Sequence, residues 1–216
     1  MSKANLLWGA PRIHSELLKL GTDTVFWDAR DAASLRALIA ESDLVRGKSV
    51  LEIGTGSELL SLYCLRFGAN RIVATDINPM AVRNARYNAE KMGFSERFEV
   101  RQVTPEEAGA HFIVRSAEKF DLIISNPPWE DALPESNIDY AYYDSGFDLI
   151  RTLMNGLRQH LNENGKALLA YGSVEGIRQV ERLSAENGFR LRILDDRNPE
   201  SLPPVFVPGI LLEVSR

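Results

Sequence analysis

The stretch Lys48-Ser-Val-Leu-Glu-Ile-Gly-Thr-Gly-Ser57 decides the fold. A short β-rich run, Lys48–Ile53, breaks into Gly54-Thr55-Gly56 and then into a helical pattern, residues 58–67, with Gly68 as its stop. The same alternation repeats downstream. Arg71–Thr75 reads as a strand, and Asn78-Pro79 opens a helix that runs to Met92 and stops at Gly93. Phe98–Val103 is a third strand, followed by a helix over Glu106–Ser116. Phe120–Ser125 is a fourth, apolar enough to be buried on both faces. Apolar residues at 147, 150, 153, 154, 157 and 161 form one stripe of a helix that Asn164-Gly165 ends. Lys166–Tyr171 is a fifth strand and Val174–Asn187 a helix. Phe189–Leu194 and Gly209–Val214 flank a Pro-rich turn at Pro199–Pro208 and should pair antiparallel at a sheet edge. A helix over Asp31–Leu44 precedes them all. Strands alternating with helices predict a Rossmann-like α/β domain, its sheet mostly parallel, with helices on both faces and a closing hairpin.

The 216 residues suit one domain, with residues 1–46 as a helical, cofactor-covering extension and 47–216 as the core. One cysteine, Cys64, in an apolar run, excludes a disulfide framework and a multi-cysteine zinc site and reads as core. The histidines at 14, 111 and 160 are scattered, with no ligand pair at helical spacing, which predicts solvated or capping roles and no metal. No leader pattern or membrane-spanning apolar run is visible, so a cytoplasmic location is expected. The net charge of -5 argues against a broad nucleic-acid-binding face.

In an open parallel sheet, ligands bind beyond the carboxyl ends of the strands, and three motifs fall there. In the first, Glu52-Ile-Gly54-Thr55-Gly56-Ser57, glycines let the backbone turn tightly beside a ligand. The dehydrogenase fingerprint is incomplete, because Leu59 stands in place of its third glycine and Glu58 would repel a pyrophosphate at the helix start. The second is Asp76, whose carboxylate can accept both hydroxyls of a ribose. The third is Asn126-Pro127-Pro128-Trp129, directly after the fourth strand. Two prolines stiffen the backbone there. The Asn126 side-chain oxygen and the Pro127 carbonyl can accept both hydrogens of an NH2 group. Trp129 can stack on a flat substrate. Two acceptors favouring pyramidal geometry would free a delocalised lone pair for attack.

Together these residues resemble the class I S-adenosylmethionine-dependent methyltransferases, in the branch with an Asn-Pro-Pro-aromatic motif that includes HemK-like glutamine N5-methyltransferases and several RNA and DNA amino methyltransferases. The resemblance covers Val25–Arg216 and is strongest over Val50–Ser57, Asp76–Ala89 and Asp121–Trp129. It implies a seven-stranded sheet with its last strand antiparallel, and S-adenosylmethionine as cofactor. Glu52, Gly54 and Gly56, with Thr55 between them, would line the methionine end. Asp76 would hold the ribose beside Asn78, and Ile77 would pack on the adenine. Phe26 and Asp31 belong to a loop folding over the cofactor. Asn126, Pro127, Pro128 and Trp129 would hold the substrate amino group. The chain departs from the pattern at Val103-Thr104-Pro105, where an acidic residue is lacking and Thr104 or a backbone group would meet the adenine amine. It departs also at Trp129, commonly tyrosine or phenylalanine, and at Ala32, where the glutamine enzymes carry threonine.

Between Phe120 and Ile150 there is no lysine or arginine, but seven acids (Asp121, Glu130, Asp131, Glu135, Asp139, Asp144, Asp148), with tyrosines at 140, 142 and 143. As the lip of a site this stretch would repel phosphate backbones and suit a basic peptide or a small cation; as a solvated loop it would bind nothing. The leading expectation is methylation of a protein side-chain amide. The alternatives are an exocyclic amine of RNA or DNA, a small molecule, a non-catalytic cofactor-binding scaffold and, least favoured, a nicotinamide oxidoreductase. Recognition is expected from a partner subunit or from the segment Leu6–Leu20, which carries Trp8, Leu17 and Leu18.

Overall fold

The computed structural model describes residues 25, 30, 32–57, 59–107 and 109–216. Its elements are α1 (Ala33–Glu41), β1 (Ser49–Ile53), α2 (Leu59–Arg66), β2 (Arg71–Asp76), α3 (Pro79–Lys91), β3 (Phe98–Gln102), β4 (Phe120–Ser125), α4 (Asp148–His160), β5 (Leu161–Ser173), α5 (Val174–Glu186), β6 (Arg190–Ile193) and β7 (Val205–Ser215). The seven strands form one sheet in the order β3-β2-β1-β4-β5-β7-β6, in which β7 runs antiparallel to both neighbours.

The expected alternation is therefore present, and local chemistry explains its punctuation. Asn78 caps α3 by accepting a bond from the Met80 amide at 2.9 Å, with Pro79 in the first turn. β4 is buried on both faces. Phe120 and Ile123 join a core with Ile150, Leu153 and Leu157 of α4 and Ile177 and Val180 of α5. Leu122 and Ile124 join the opposite core with Leu35 and Ile39 of α1 and Leu60 and Cys64 of α2. Among the described residues no helix is long and apolar enough to cross a membrane.

Four expectations are corrected. No α-helix follows β3: a single 3-10 turn, Pro105–Glu107, gives way to irregular turns. Gly109, at φ +158°, interrupts a helical run there. α4 ends at His160, before Asn164-Gly165, because Leu161 is already extended and pairs with Phe120. Residues 162–165 then loop out before Lys166 pairs with Leu122, and the Asn162 amide donates to Asp121 Oδ1 at 2.8 Å. β7 starts at Val205, inside the expected turn, where it pairs with Ser173 and buries Phe206. Finally, His111 and His160 are not solvated. Their rings stack at 4.8 Å, and each ring bonds a backbone carbonyl, of Leu153 and Glu118 respectively, at 3.0 Å. His14 lies outside the described residues.

Candidate active site

Strand order reverses between β1 and β4, with β2 and β3 to one side and β5 to the other. A crevice must open there at the carboxyl ends. It holds a cavity of about 420 Å³, within the range of roughly 300–1,000 Å³ usual for small-molecule sites.

The turn after β1 forms one wall. Gly54 and Gly56 have φ of +73° and +51°, a region that side-chain-bearing residues enter only with strain. A Cβ built at either would meet nothing within 4 Å. Backbone conformation, with open space beside it, is therefore what demands glycine. The Gly54 and Thr55 amides donate to the Thr75 carbonyl at 2.9 Å, which ties the turn to β2.

Two buried carboxylates face this turn. Asp76 Oδ2 accepts the Gly56 amide and Oδ1 the Asn78 amide, both at 2.7 Å, leaving each oxygen further acceptor capacity. Glu52, 1% exposed, accepts the Thr55 hydroxyl at 2.8 Å and the Ser61 hydroxyl on one oxygen. Burial lifts the Glu52 carboxyl to about 7, against the pull of those two hydroxyls, and Asp76 adds repulsion. Burial likewise lifts Asp76 to about 6, although the Gly56 and Asn78 amides lower it. Among the described lining residues Arg36 is the one cation, set against Glu52, Asp76, Asp144 and Asp148. The cavity suits a cation-bearing ligand with vicinal hydroxyls.

Of the expected cofactor residues, Glu52, Gly54, Thr55, Gly56, Asp76, Ile77, Asn78 and Asn126 lie on the wall. Thr104 does not; its neighbour Val103 does, with Gly109 and Ala110. Phe26 and Asp31 lie outside the described residues, as do Glu58 and the segment Leu6–Leu20, but Val25 and Ala32 line the cavity.

At the end of β4, Asn126 and Pro128 are on the wall and Asn126 Oδ1 is buried. Pro127 is buried away from it. Trp129 is placed elsewhere: its ring lies over Gly172, where a Cβ would collide with it, its indole N–H donates to the Ala170 carbonyl at 3.4 Å, and it packs on the α4/α5 core. Among the described residues the aromatic rings at the cavity are Tyr140 and Tyr143. Asp144 caps α4, accepting the Leu149 and Ile150 amides at 2.8 and 3.1 Å, and burial raises its carboxyl. Asp121 leaves the expected acidic lip. It sits at the amino end of β4, accepting the Ser49 amide and hydroxyl at 2.8 Å. Sequence reasoning missed Arg36 and Leu133, while Val25 falls in the segment expected to fold over the cofactor. Arg36 had only its place on a helix, but Leu133-Pro134 inside the acidic, tyrosine-bearing run was a usable signal.

The family model for ribosomal protein L11 methyltransferase matches residues 32–127. A candidate protein N5-glutamine methyltransferase of Methanocaldococcus jannaschii is 31% identical over 156 residues, covering 69% of this chain and 74% of the relative. The release factor glutamine methyltransferase of Cereibacter sphaeroides is 28% identical over 160 residues, covering 68% of this chain and 55% of that enzyme. The chain thus spans three quarters of the archaeal relative and little more than half of the bacterial one. The crystal structure of the ribosomal protein L11 methylase of Lactobacillus delbrueckii subsp. bulgaricus superposes with a TM-score of 0.63 at 23% identity, covering 89% of this chain and 81% of that one. With a glycine turn and two carboxylates at the switch point, and with these relatives, the chain belongs to the class I S-adenosylmethionine-dependent methyltransferases.

Proposed function

We propose that the protein methylates the side-chain amide nitrogen of a protein substrate, in the manner of a glutamine N5-methyltransferase, and that residues 1–216 form one methyltransferase domain. The observation that carries this reading is Asn126-Pro127-Pro128 at the end of β4, with Asn126 and Pro128 on the wall of the cavity that also holds Gly54, Gly56 and Asp76. S-adenosylmethionine, when bound, supplies an electrophilic methyl group on a sulfonium sulfur. The rest is done by the chain. The glycine turn admits the methionine end beside Glu52, and the remaining acceptor capacity of the Asp76 oxygens takes the ribose hydroxyls. Ile77 packs on the adenine. Asn126 Oδ1 accepts an N–H of the substrate amide beside Pro128 on the wall. It would hold the nitrogen with its lone pair free for methylation and stabilise the positive charge that develops there until one proton passes to solvent.

Asn126→Ala should lower turnover by roughly 10²–10³-fold while S-adenosylhomocysteine affinity stays within about twofold of wild type. Near-normal turnover in that variant would remove the amino-group reading. Methyl-labelled cofactor and host lysate, divided between protease and nuclease, identify the acceptor. Label lost to protease supports a protein substrate, and label lost to nuclease would replace it with a nucleic-acid base.

A further inference from the structure

The cavity continues past the glycine turn to a lip made by the loop from Trp129 to Asp144. The loop closes on itself through backbone bonds. The Trp129 and Glu130 amides donate to the Tyr142 carbonyl at 3.2 and 3.1 Å, and the Asp144 amide to the Glu130 carbonyl at 2.8 Å. Inside, Asp139 Oδ2 accepts the Glu135 and Ser136 amides at 3.0 and 2.8 Å, and Asp131 the Gly146 amide at 2.7 Å. Such a self-braced Ω-loop presents a fixed surface. Most of the residues it brings to the cavity are apolar or aromatic, Leu133, Pro134, Tyr140, Ala141 and Tyr143, with Asn137 and Asp144 as the polar ones. Leu133 nevertheless remains 75% exposed, an apolar group held at an opening with nothing over it among the described residues.

Charge selects the occupant. Six acids lie between Glu130 and Asp148, with no lysine or arginine among them. Within this set the ion pair among the described residues is Asp148–Arg151. Two of the acids, Asp144 and Asp148, are on the cavity wall itself. A phosphodiester backbone would meet a net excess of like charge here, whereas an ammonium or guanidinium would meet carboxylates over an apolar floor. We propose that this lip docks an extended basic peptide segment, with lysine or arginine flanking the residue that is methylated. The proposal rests on the protein-substrate reading above and sharpens it. The peptide's aliphatic stems cover Leu133 and the tyrosines while its cationic heads reach the acids.

Binding can be read without turnover. Fluorescein-labelled glutamine peptides with lysine, serine or glutamate flanks are titrated into the full chain saturated with S-adenosylhomocysteine, and anisotropy is followed. The lysine-flanked peptide should bind roughly tenfold more tightly than the serine-flanked one and the glutamate-flanked one more weakly still, since each exposed charge pair adds a small increment. The preference should fade between roughly 50 and 500 mM salt. Glu130 and Glu135 are both exposed. The double variant Glu130→Lys/Glu135→Lys, checked for an unchanged melting temperature, should reverse the order. Equal binding of the three peptides, binding of none, or displacement of the lysine-flanked peptide by a short single-stranded RNA would overturn the proposal. The two readings fail separately. Ordered binding without methyl transfer to glutamine sinks the amide reading and leaves the docking surface. Methyl transfer indifferent to flanking charge sinks the docking surface and leaves the amide reading.

Discussion

Glu52→Gln separates two consequences of burying a carboxyl beside a second one. Glu52 is 1% exposed and its carboxyl is lifted from 4.5 to about 7. A carboxyl whose folded value lies above its unfolded value binds more protons folded than unfolded between the two. Stability contributed by that group is therefore present at low pH and lost as pH rises through this window. With these two values, Glu52 destabilises the ligand-free protein by about 2–3 kcal/mol between pH 5 and pH 8. Asp76, lifted from 3.8 to about 6, acts in the same direction. Glutamine keeps the shape and an acceptor for the Ser61 and Thr55 hydroxyls but has no proton to lose. The ligand-free variant should therefore be more stable than wild type at pH 8, by on the order of 3 kcal/mol or about 6–10 °C in melting temperature. Near pH 5 the gap should shrink to about 1 kcal/mol. Ligand affinity moves the opposite way, because a cationic cofactor prefers the ionised carboxylate. Wild-type affinity for S-adenosylhomocysteine should fall about tenfold from pH 8 to pH 6, following the ionised fraction of Glu52. The variant should bind more weakly at pH 8 and with a flatter profile. Thermal unfolding and titration calorimetry across pH 5–8 read both effects. Equal destabilisation of the variant at both ends of the range, or a wild-type affinity that ignores pH, would refute the argument.

Three further substitutions bear on packing and the site. Gly54→Ala should cost about 1 kcal/mol of stability, the strain of an alanine at φ +73°; because its Cβ meets no protein atom, a much larger loss of S-adenosylhomocysteine affinity in calorimetry would place the cofactor in that space, and none would exclude it. Tyr171 is fully buried and its hydroxyl has no hydrogen-bond partner among the described residues, so Tyr171→Phe should raise stability in urea unfolding by about 1 kcal/mol. A Cβ at Gly156 would collide with the His111 ring, so Gly156→Ala should destabilise by about 1–2 kcal/mol despite better helix propensity. Adding His111→Ala should restore part of the loss, and an unshifted urea midpoint in the single variant would count against the packing described.

What was legible in the sequence is what is locally encoded. Strands β1, β2 and β4 and the stripe of α4 follow from apolar periodicity and from glycine, proline and asparagine at element ends. The glycine turn, Asp76 and Asn126 fall on one cavity because all three follow parallel strands at the switch point. What was not legible depends on partners distant in the chain. Trp129 follows two prolines like a substrate platform, yet the absent side chain of Gly172 gives its ring a bed in the core. His111 and His160 meet only because the loop after β3 packs on α4. The start of β5 is set by Phe120 pairing with Leu161, which no residue near Leu161 announces.

The place of β7 has a consequence for how the chain assembles during synthesis. Although it follows β6 in the chain, it lies between β5 and β6, and Leu211, Leu212 and Val214 are almost wholly buried. As the ribosome releases the protein, the part of the sheet from β3 to β5 can pair while β5 still presents a bare backbone edge from Lys166 to Ser173. Residues 205–215 fill that edge and fasten β6 in a single step. Until they emerge the nascent chain carries an adhesive strand, and a stall or a cut ahead of Val205 would leave a sticky half-sheet with its glycine turn already formed.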